Sequence, residues 1–300
     1  MRVLVIPDVH LKPDMIDKAA SLMTSHKFDN AVFLGDFVDD WNQGRNIGLY
    51  DNTFDALDKF LRLFPNSLIC YGNHDISYVW NKLETGYSAF AHDTVMARLH
   101  DLYRAHGIDR WKFIHKIDDV LFSHAGITTD FLKKHRMSKK SADEIVEKIN
   151  RMGREELWVD ASPIWARPRH FEYNICLQVV GHTPLSQVTY YKRFNLLVTD
   201  NHSTFDTGTP DKSMVWVDTK TGAFEALSGN VRITDHILGH PMYKRKEHVF
   251  IKTSMKKGKI MVVDACGTTG QRDEPSYDVY VDEDHCLYKH IRESEIVSKD

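Results

Sequence analysis

Short apolar runs alternate with stretches of helical period through the first half of the chain, and that alternation sets the expected architecture. Residues 3–6 (Val-Leu-Val-Ile) are continuously apolar, as expected of a strand buried on both faces. From Pro13-Asp14 to about His26, the spacing of Ile16, Ala19, Ala20 and Met23 predicts a helix. Residues 31–34 repeat the buried-strand pattern. An Asn- and Gly-rich loop is expected over 41–52, then a helix over 53–63 that Pro65 stops. A third strand is expected at 67–71, a largely helical segment from 75 to 106, and a strand at 119–123. Residues 128–154 read as two helices, with Ser141-Ala142-Asp143-Glu144 as a capping box.

The period changes after residue 175. Residues 175–180, 187–191, 195–199, 214–218 and 223–227 read as short strands, with a hairpin-like turn at Thr219-Lys220-Thr221-Gly222. An α/β first half followed by a β-rich second half predicts two mixed β-sheets packed face to face with flanking helices. Beyond Gly229 the composition shifts again. Strands are expected at 248–253, 259–263 and 277–281, joined by turns at Lys256-Lys257-Gly258 and 267–275. The expected organisation is a catalytic domain over 1–229 and a small β-rich C-terminal appendage, of no assignable role, over 230–300. The chain carries no internal repeat and no low-complexity tract.

Composition narrows the function classes. Hydrophobic residues make up 42% and charged residues 27%, so material for a core is ample. The formal net charge of −3 argues against a non-specific nucleic-acid binder, and no basic patch is evident. It leaves a nucleotide substrate open, because metal ions can supply the positive charge a phosphate needs. Four widely spaced cysteines without a Cys-x-x-Cys pair fit a reducing compartment. No apolar run reaches membrane-spanning length, and the chain enters its first strand at once, without a signal peptide. A cytoplasmic protein with no membrane partner is the expectation.

The informative feature is what sits at the strand ends. The first strand is followed by Asp8-Val9-His10, the second by Gly35-Asp36-Phe37-Val38-Asp39, and the third by Gly72-Asn73-His74-Asp75. Two later strands run into Ser123-His124-Ala125-Gly126 and Gly181-His182-Thr183-Pro184. Ligand sites in α/β sheets form outside the carboxyl ends of strands. Five such ends carrying Asp, Asn and His therefore predict one convergent site. An Asp and a His two apart can chelate one ion, and mixed carboxylate–imidazole donors suit borderline divalent metals. A carboxylate such as Asp36 has two oxygens and can bridge two ions about 4 Å apart. The glycines before Asp36, Asn73 and His182 allow the sharp turns that bring ligands close.

These motifs resemble the calcineurin-like metallophosphoesterase superfamily. Within it, the chain looks like the phosphoprotein phosphatase branch, in particular the bacteriophage lambda type of protein phosphatase and its bacterial relatives. The resemblance spans about residues 1–210, with five motifs in the family's order. Ile164-Trp165-Ala166-Arg167 looks like the branch's Trp-x-Arg segment, and Phe205-Asp206-Thr207-Gly208 like its Asp-Thr-Gly turn. The resemblance implies one metal held by Asp8, His10 and a bridging Asp36, and a second held by Asp36, Asn73, His124 and His182. Manganese is the first expectation for the pair, with iron, zinc or nickel as alternatives. His74 matches the general acid, Asp39 the carboxylate that orients it, and Arg167 and Asn73 the groups that meet substrate phosphate. Pro184 stands where many non-protein-phosphatase members carry a second histidine. The implied reaction is hydrolysis of a phosphate monoester by direct attack of a metal-bridging water or hydroxide, without a phospho-enzyme.

Two departures bear on the substrate. The first motif reads Pro7-Asp8-Val9-His10-Leu11 where the branch usually has Gly-Asp-x-His-Gly. The second reads Asp39-Asp40-Trp41 where it has Asp-Arg-Gly, so a carboxylate replaces a phosphate-binding arginine. Arg45, Arg154 and Arg169 are the candidates to compensate. The leading expectation is a phosphatase for phosphoserine, phosphothreonine and small phosphoesters. The alternatives are a phosphoesterase for nucleotides, dinucleoside polyphosphates or nucleic-acid ends, and a non-catalytic metal-binding module. Asp264, Cys266, His285 and Cys286 lack paired spacing and are not read as a metal site.

Overall fold

In a computed structural model, the described residues are 1–40, 42–172, 176–201, 213–266, 268 and 274–298. They form two compact units, one of residues 1–167 and 171–232, the other of 168–170 and 233–300. Trp41, the start of the strand expected at 175, the Asp-Thr-Gly turn at 205–208 and most of the turn at 267–275 lie outside the described residues.

In chain order the first unit begins β1 (Arg2–Ile6), α1 (Pro13–His26), β2 (Asn30–Phe33), α2 (Ile47–Leu63), β3 (Leu68–Cys70), α3 (Asn73–Trp80) and α4 (His92–His106). It continues with β4 (Trp111–Lys112), β5 (Ile114–Ile117), β6 (Val120–Ser123), α5 (Thr129–Lys134), α6 (Ala142–Asn150) and α7 (Arg154–Leu157). Then come β7 (Leu177–Val180), β8 (Thr189–Tyr191), β9 (Leu196–Val198), β10 (Val215–Asp218) and β11 (Phe224–Ala226), and β12 (Arg232–Thr234) starts at the unit's last residue. The strands make two mixed six-stranded sheets, in the orders β11-β10-β1-β2-β3-β4 and β12-β8-β9-β7-β6-β5.

Strand alternation shows how the sheets meet. Val3 and Val5 of β1, Val32 of β2 and Cys70 of β3 share one buried cluster with Val120 and Phe122 of β6 and Leu197 of β9. Leu4, Ile6 and Phe33 point the other way, into a second cluster with Met15, Ile16 and Ala19 of α1 and Phe54, Leu57 and Phe60 of α2. Each sheet is therefore apolar on both faces, and the strand period of two distributes side chains between the sheet–sheet layer and the helix layer. β1, β2 and β3 run parallel, as do β6 and β7, so the loops carrying the sequence motifs leave the same end of each parallel set.

The second unit is an antiparallel sheet, β16-β15-β14-β13-β17, built from β13 (His248–Ile251), β14 (Lys256–Asp264), β15 (Ser276–Val281), β16 (Cys286–Arg292) and β17 (Ile296–Ser298). It has its own core of Val249, Ile251, Ile260, Tyr277, Val279, Val281 and Ile296.

Several local expectations are corrected. The helix expected from residue 53 begins at Ile47, because Asn46 caps it by accepting the Leu49 N–H at 3.3 Å and Tyr50 and Phe54 face the core. The segment expected to be helical over 75–106 is broken between α3 and α4, where Asn81 takes a left-handed φ of 49° and closes α3. Lys256-Lys257-Gly258 is not a turn but the start of β14; the chain reverses just before it, with Met255 at φ 53°. A Cβ at Gly258 would strike Val279, so this glycine serves close cross-strand packing. The strands β4, β5, β12, β16 and β17 were not anticipated. All are edge strands, which pair on one side only and carry weaker apolar alternation.

Candidate metal centre

The loops after β1, β2, β3, β6 and β7 converge. Asp36 is their common point: His10 Nε2 lies 3.6 Å and His124 Nε2 3.4 Å from its Oδ2, while Oδ1 accepts the His74 backbone N–H at 2.9 Å. Asp36 belongs to two groups of ligand-type atoms that lie within 4.8 Å of one another, His10–Asp36–His74 and Asp36–His124–His182. Asn73 Oδ1 is 2.8 Å and His182 Nδ1 3.0 Å from His124 Nε2. Asp8 falls in neither group. Its carboxylate instead accepts the His182 backbone N–H, at 2.9 and 3.1 Å, tying the loop of one sheet to the loop of the other. Each carboxylate oxygen has a second lone pair, so that bond leaves Asp8 able to hold an ion as well.

Local geometry explains why these residues take these places. His10, Asp36, Asp39 and His182 all have left-handed backbones, with φ of 43°, 51°, 66° and 62°. Such conformations cost of order 1 kcal/mol or more each and concentrate at functional sites. Three glycines are required by close approach: a Cβ at Gly35 would strike the Gly72 backbone, one at Gly72 would overlap Asp36 Oδ1, and one at Gly181 would overlap Asp8 Oδ1. Asp75 accepts the backbone N–H groups of Asp36, Phe37 and Gly72 at 2.7, 2.8 and 3.1 Å, joining the loops after β2 and β3.

The donor set fits a bound cation. His124 Nδ1 donates to Leu34 O at 2.8 Å, which leaves Nε2 as a lone pair. Burial lowers the His124 pKa to about 3, so the ring is neutral. Asn73 Nδ2 donates to Glu84 Oε2 at 2.7 Å, which turns Oδ1 toward that same lone pair. His124 Nε2, Asn73 Oδ1 and Asp36 Oδ2 are thus acceptors facing one another, an arrangement that a bound cation would satisfy. His10 is oriented likewise, with Nδ1 on the carbonyls of Asp39 and Val38 at 2.8 and 3.2 Å and Nε2 toward Asp36. Burial holds the His10 and His182 pKa values well below the ordinary imidazole value, and it pushes the Asp8 and Asp36 carboxyls up.

His74 has the opposite character. Burial disfavours its charge, but Asp36, Asp39 and Glu84 together raise its pKa well above the ordinary value. Its Nδ1 meets Asp39 Oδ2 at 3.0 Å. The other oxygen of Asp39 accepts Tyr78 OH at 2.5 Å and Tyr50 OH at 3.1 Å. Burial and the Asp39 charge keep both phenols protonated, as that role requires. Arg167 Nη1 donates to the His182 carbonyl at 3.2 Å, and its charge helps depress the His124 and His182 pKa values. Asp40 directs Oδ1 toward the Asn42 N–H, at 3.5 Å, within its own turn. Of the three possible compensating arginines, Arg154 pairs with Glu155 at 2.8 Å, and Arg45 and Arg169 are exposed, Arg169 belonging to the second unit.

Glu84, Asp75, Tyr50 and Tyr78 were missed in the sequence, and only Asp75, inside the Gly-Asn-His-Asp motif, carried any signal there. Asp264 accepts from Thr268 at 2.9 Å, and Cys266 and Cys286 are exposed free thiols. Neither cysteine nor His285 joins a ligand group among the described residues. No helix among the described residues is long and apolar enough to cross a membrane.

The sequence profile of the calcineurin-like phosphoesterase family matches residues 1–208. No curated protein sequence matches the chain. Among solved structures, it is similar to a cold-active protein-tyrosine phosphatase of the psychrophile Shewanella sp., at 18% identity over 76% of this chain and 80% of that one, TM-score 0.48. It is also similar to a serine/threonine phosphatase of Saccharomyces cerevisiae, at 13% identity over 72% of each chain, TM-score 0.42. An archaeal phosphodiesterase matches at 13% identity over 76% of this chain and 99% of that one, TM-score 0.39. Likeness at this level distinguishes no substrate class.

Proposed function

This chain belongs to the calcineurin-like phosphoesterase family, and from that premise we propose that it hydrolyses phosphate monoesters in the manner of a serine/threonine protein phosphatase, with small phosphoesters as further substrates. It is a metal-dependent phosphoesterase, which sets aside a purely non-catalytic module. One observation carries the reading: His74 sits beside the shared aspartate with its Nδ1 3.0 Å from Asp39 Oδ2, placed to give a proton to a leaving oxygen. A serine or threonine phosphate leaves as an alkoxide, which needs a proton, whereas a nitrophenolate departs without one. Pro184, in the place of a further histidine ligand, supports the same branch.

In this reading Asp8, His10 and Asp36 would hold one divalent ion, and Asp36, Asn73, His124 and His182 would hold the other. Manganese is the first choice, since mixed carboxylate, amide and imidazole donors suit borderline ions, among which iron, zinc and nickel also fall. When bound, the ions supply a nucleophilic water near neutral pH and offset phosphate charge. Arg167, tethered to the His182 carbonyl, brings a guanidinium to the same phosphate, and the Asn73 amide lines it. Asp39 keeps Nδ1 of His74 protonated and the ring aimed, so that Nε2 holds the proton for the leaving oxygen. Water attacks phosphorus directly, and no side chain serves as a covalent nucleophile.

A second reading is favoured by Asp40: where the branch carries an arginine for phosphate, this chain carries a carboxylate. A nucleotide, dinucleoside polyphosphate or nucleic-acid end would then be the substrate. The test is a substrate panel on manganese-loaded protein. Turnover of p-nitrophenyl phosphate and a phosphoserine peptide is expected; cleavage of bis(p-nitrophenyl) phosphate alone overturns the monoesterase reading. Turnover of dinucleoside polyphosphates, cyclic nucleotides or 3′-phosphorylated oligonucleotides faster than the phosphopeptide favours the second.

A further inference from the structure

We infer that Glu84 is a positioning residue that fixes the Asn73 carboxamide and the His74 imidazole as one unit; the inference rests on the reading of Asn73 as metal ligand and His74 as acid. Glu84 lies in the non-helical segment between α3 and α4, with its side chain only 5% exposed. Its two oxygens hold two different residues. Oε2 accepts Asn73 Nδ2 at 2.7 Å, and Oε1 sits 2.8 Å from His74 Nδ1.

Asn73 and His74 are the first two residues of α3. Consecutive side chains on a helix diverge by about 100°, so the helix alone does not set their relative aim. A single rigid carboxylate touching both does. An asparagine amide has two orientations of similar shape, and only the one with Nδ2 on Glu84 presents Oδ1 to His124 Nε2, at 2.8 Å. His74 Nδ1 has two carboxylate oxygens within hydrogen-bonding reach, Asp39 Oδ2 at 3.0 Å and Glu84 Oε1 at 2.8 Å. Glu84 thus links the metal-ligand amide to the acid, and shares the His74 Nδ1 side of the ring with Asp39.

The experiment compares Glu84→Ala and Glu84→Gln in the full chain, titrating manganese calorimetrically and measuring kcat on p-nitrophenyl phosphate and on a phosphoserine peptide. Glu84→Ala is expected to weaken manganese binding by about 10–100-fold, as loss of a ligand-orienting partner does. It should also lower kcat on the peptide more than on the nitrophenyl ester. Glu84→Gln still accepts the Asn73 amide through its oxygen but turns an NH2 toward His74. Its manganese affinity should therefore stay at the wild-type value while peptide turnover falls as in Glu84→Ala. Wild-type affinity and wild-type peptide turnover in Glu84→Ala overturn the inference, as does a proportional loss on both esters in both variants. Should Glu84→Ala fail to fold, Glu84→Gln decides: the split between affinity and peptide kcat supports the role, and wild-type values for both refute it. If the wild-type protein hydrolyses neither ester, the monoesterase reading fails. The manganese titration then still reads Glu84: a weaker Glu84→Ala supports the tether and an unchanged one overturns it.

Discussion

Asp75 binds no metal in the proposed scheme, yet it holds the loop that presents Asp36, and removing it should be among the most damaging single changes. Its carboxylate is 1% exposed and accepts three backbone N–H groups, from Asp36, Phe37 and Gly72, at 2.7–3.1 Å. Asp75→Ala leaves those donors buried without a partner. Each bond to a charged acceptor contributes about 1.5–3 kcal/mol, and relief of one buried charge offsets part of the sum, so the expected loss is about 4 kcal/mol. That is a large fraction of the roughly 5–15 kcal/mol of a typical domain. Asp75→Asn keeps one accepting oxygen and should lose about half as much. Urea unfolding followed by tryptophan fluorescence measures this cleanly, because all six tryptophans lie between residues 41 and 216 and so report on the first unit. The same variant should bind manganese about 10–100-fold more weakly, since the Asp36 loop loses its anchor. An Asp75→Ala protein within about 0.5 kcal/mol of wild type, the range of ordinary surface substitutions, refutes the claim that this carboxylate sets the loop.

Four further outcomes are expected. His74→Asn should lower kcat on a phosphoserine peptide by about 10²–10⁴-fold with manganese still bound by calorimetry, and unchanged turnover would remove His74 as the acid. Gly72→Ala, whose Cβ overlaps Asp36 Oδ1, should abolish tight manganese binding; a variant that titrates like wild type would show that the loop tolerates the methyl. Chelation should shift the urea midpoint downward, since manganese at about 100 times its Kd stabilises by about 2.7 kcal/mol per site, and no shift with EDTA would deny linkage to folding. His115 is buried, lies 2.9 Å from the Ile69 carbonyl through Nε2, and has its pKa lowered by burial to about 4. The unfolded value of about 6.5 is higher, so the unfolded state gains the proton first as pH falls and stability is lost below about 6.5. Between pH 7 and 5 this group should cost about 2 kcal/mol, which His115→Gln should remove, as read by urea unfolding at the two pH values.

Much of the first unit was legible because its signals are local. A strand buried on both faces must be apolar at every position, so 3–6 and 31–34 announce themselves, and a polar cluster directly after such a run has to lie at a strand end. The capping box at Ser141 and Glu144 is equally local, and it forms with Glu144 Oε2 on the Ser141 N–H at 3.0 Å. Edge strands such as Cys286–Arg292 gave no such mark, because one side of the ladder meets solvent and only Tyr288 and Ile291 of the strand's apolar residues pack on the core. Gly258 looked like a turn residue because a glycine's two uses, left-handed backbone and close packing, are identical in sequence and differ only in what lies opposite, here Val279.

The candidate site divides the same way. Which residue types follow which strands was set by the sequence alone, and it sufficed to point to metal-assisted phosphoester chemistry. Tertiary structure alone decided that Asp8 grips the His182 amide across the two sheets, that Asp75 joins two loops, and that Glu84 meets both Asn73 and His74. Those contacts join residues brought together by sheet packing and loop closure. No period or spacing encodes them, because a carboxylate acquires its role from the donors the fold happens to aim at it.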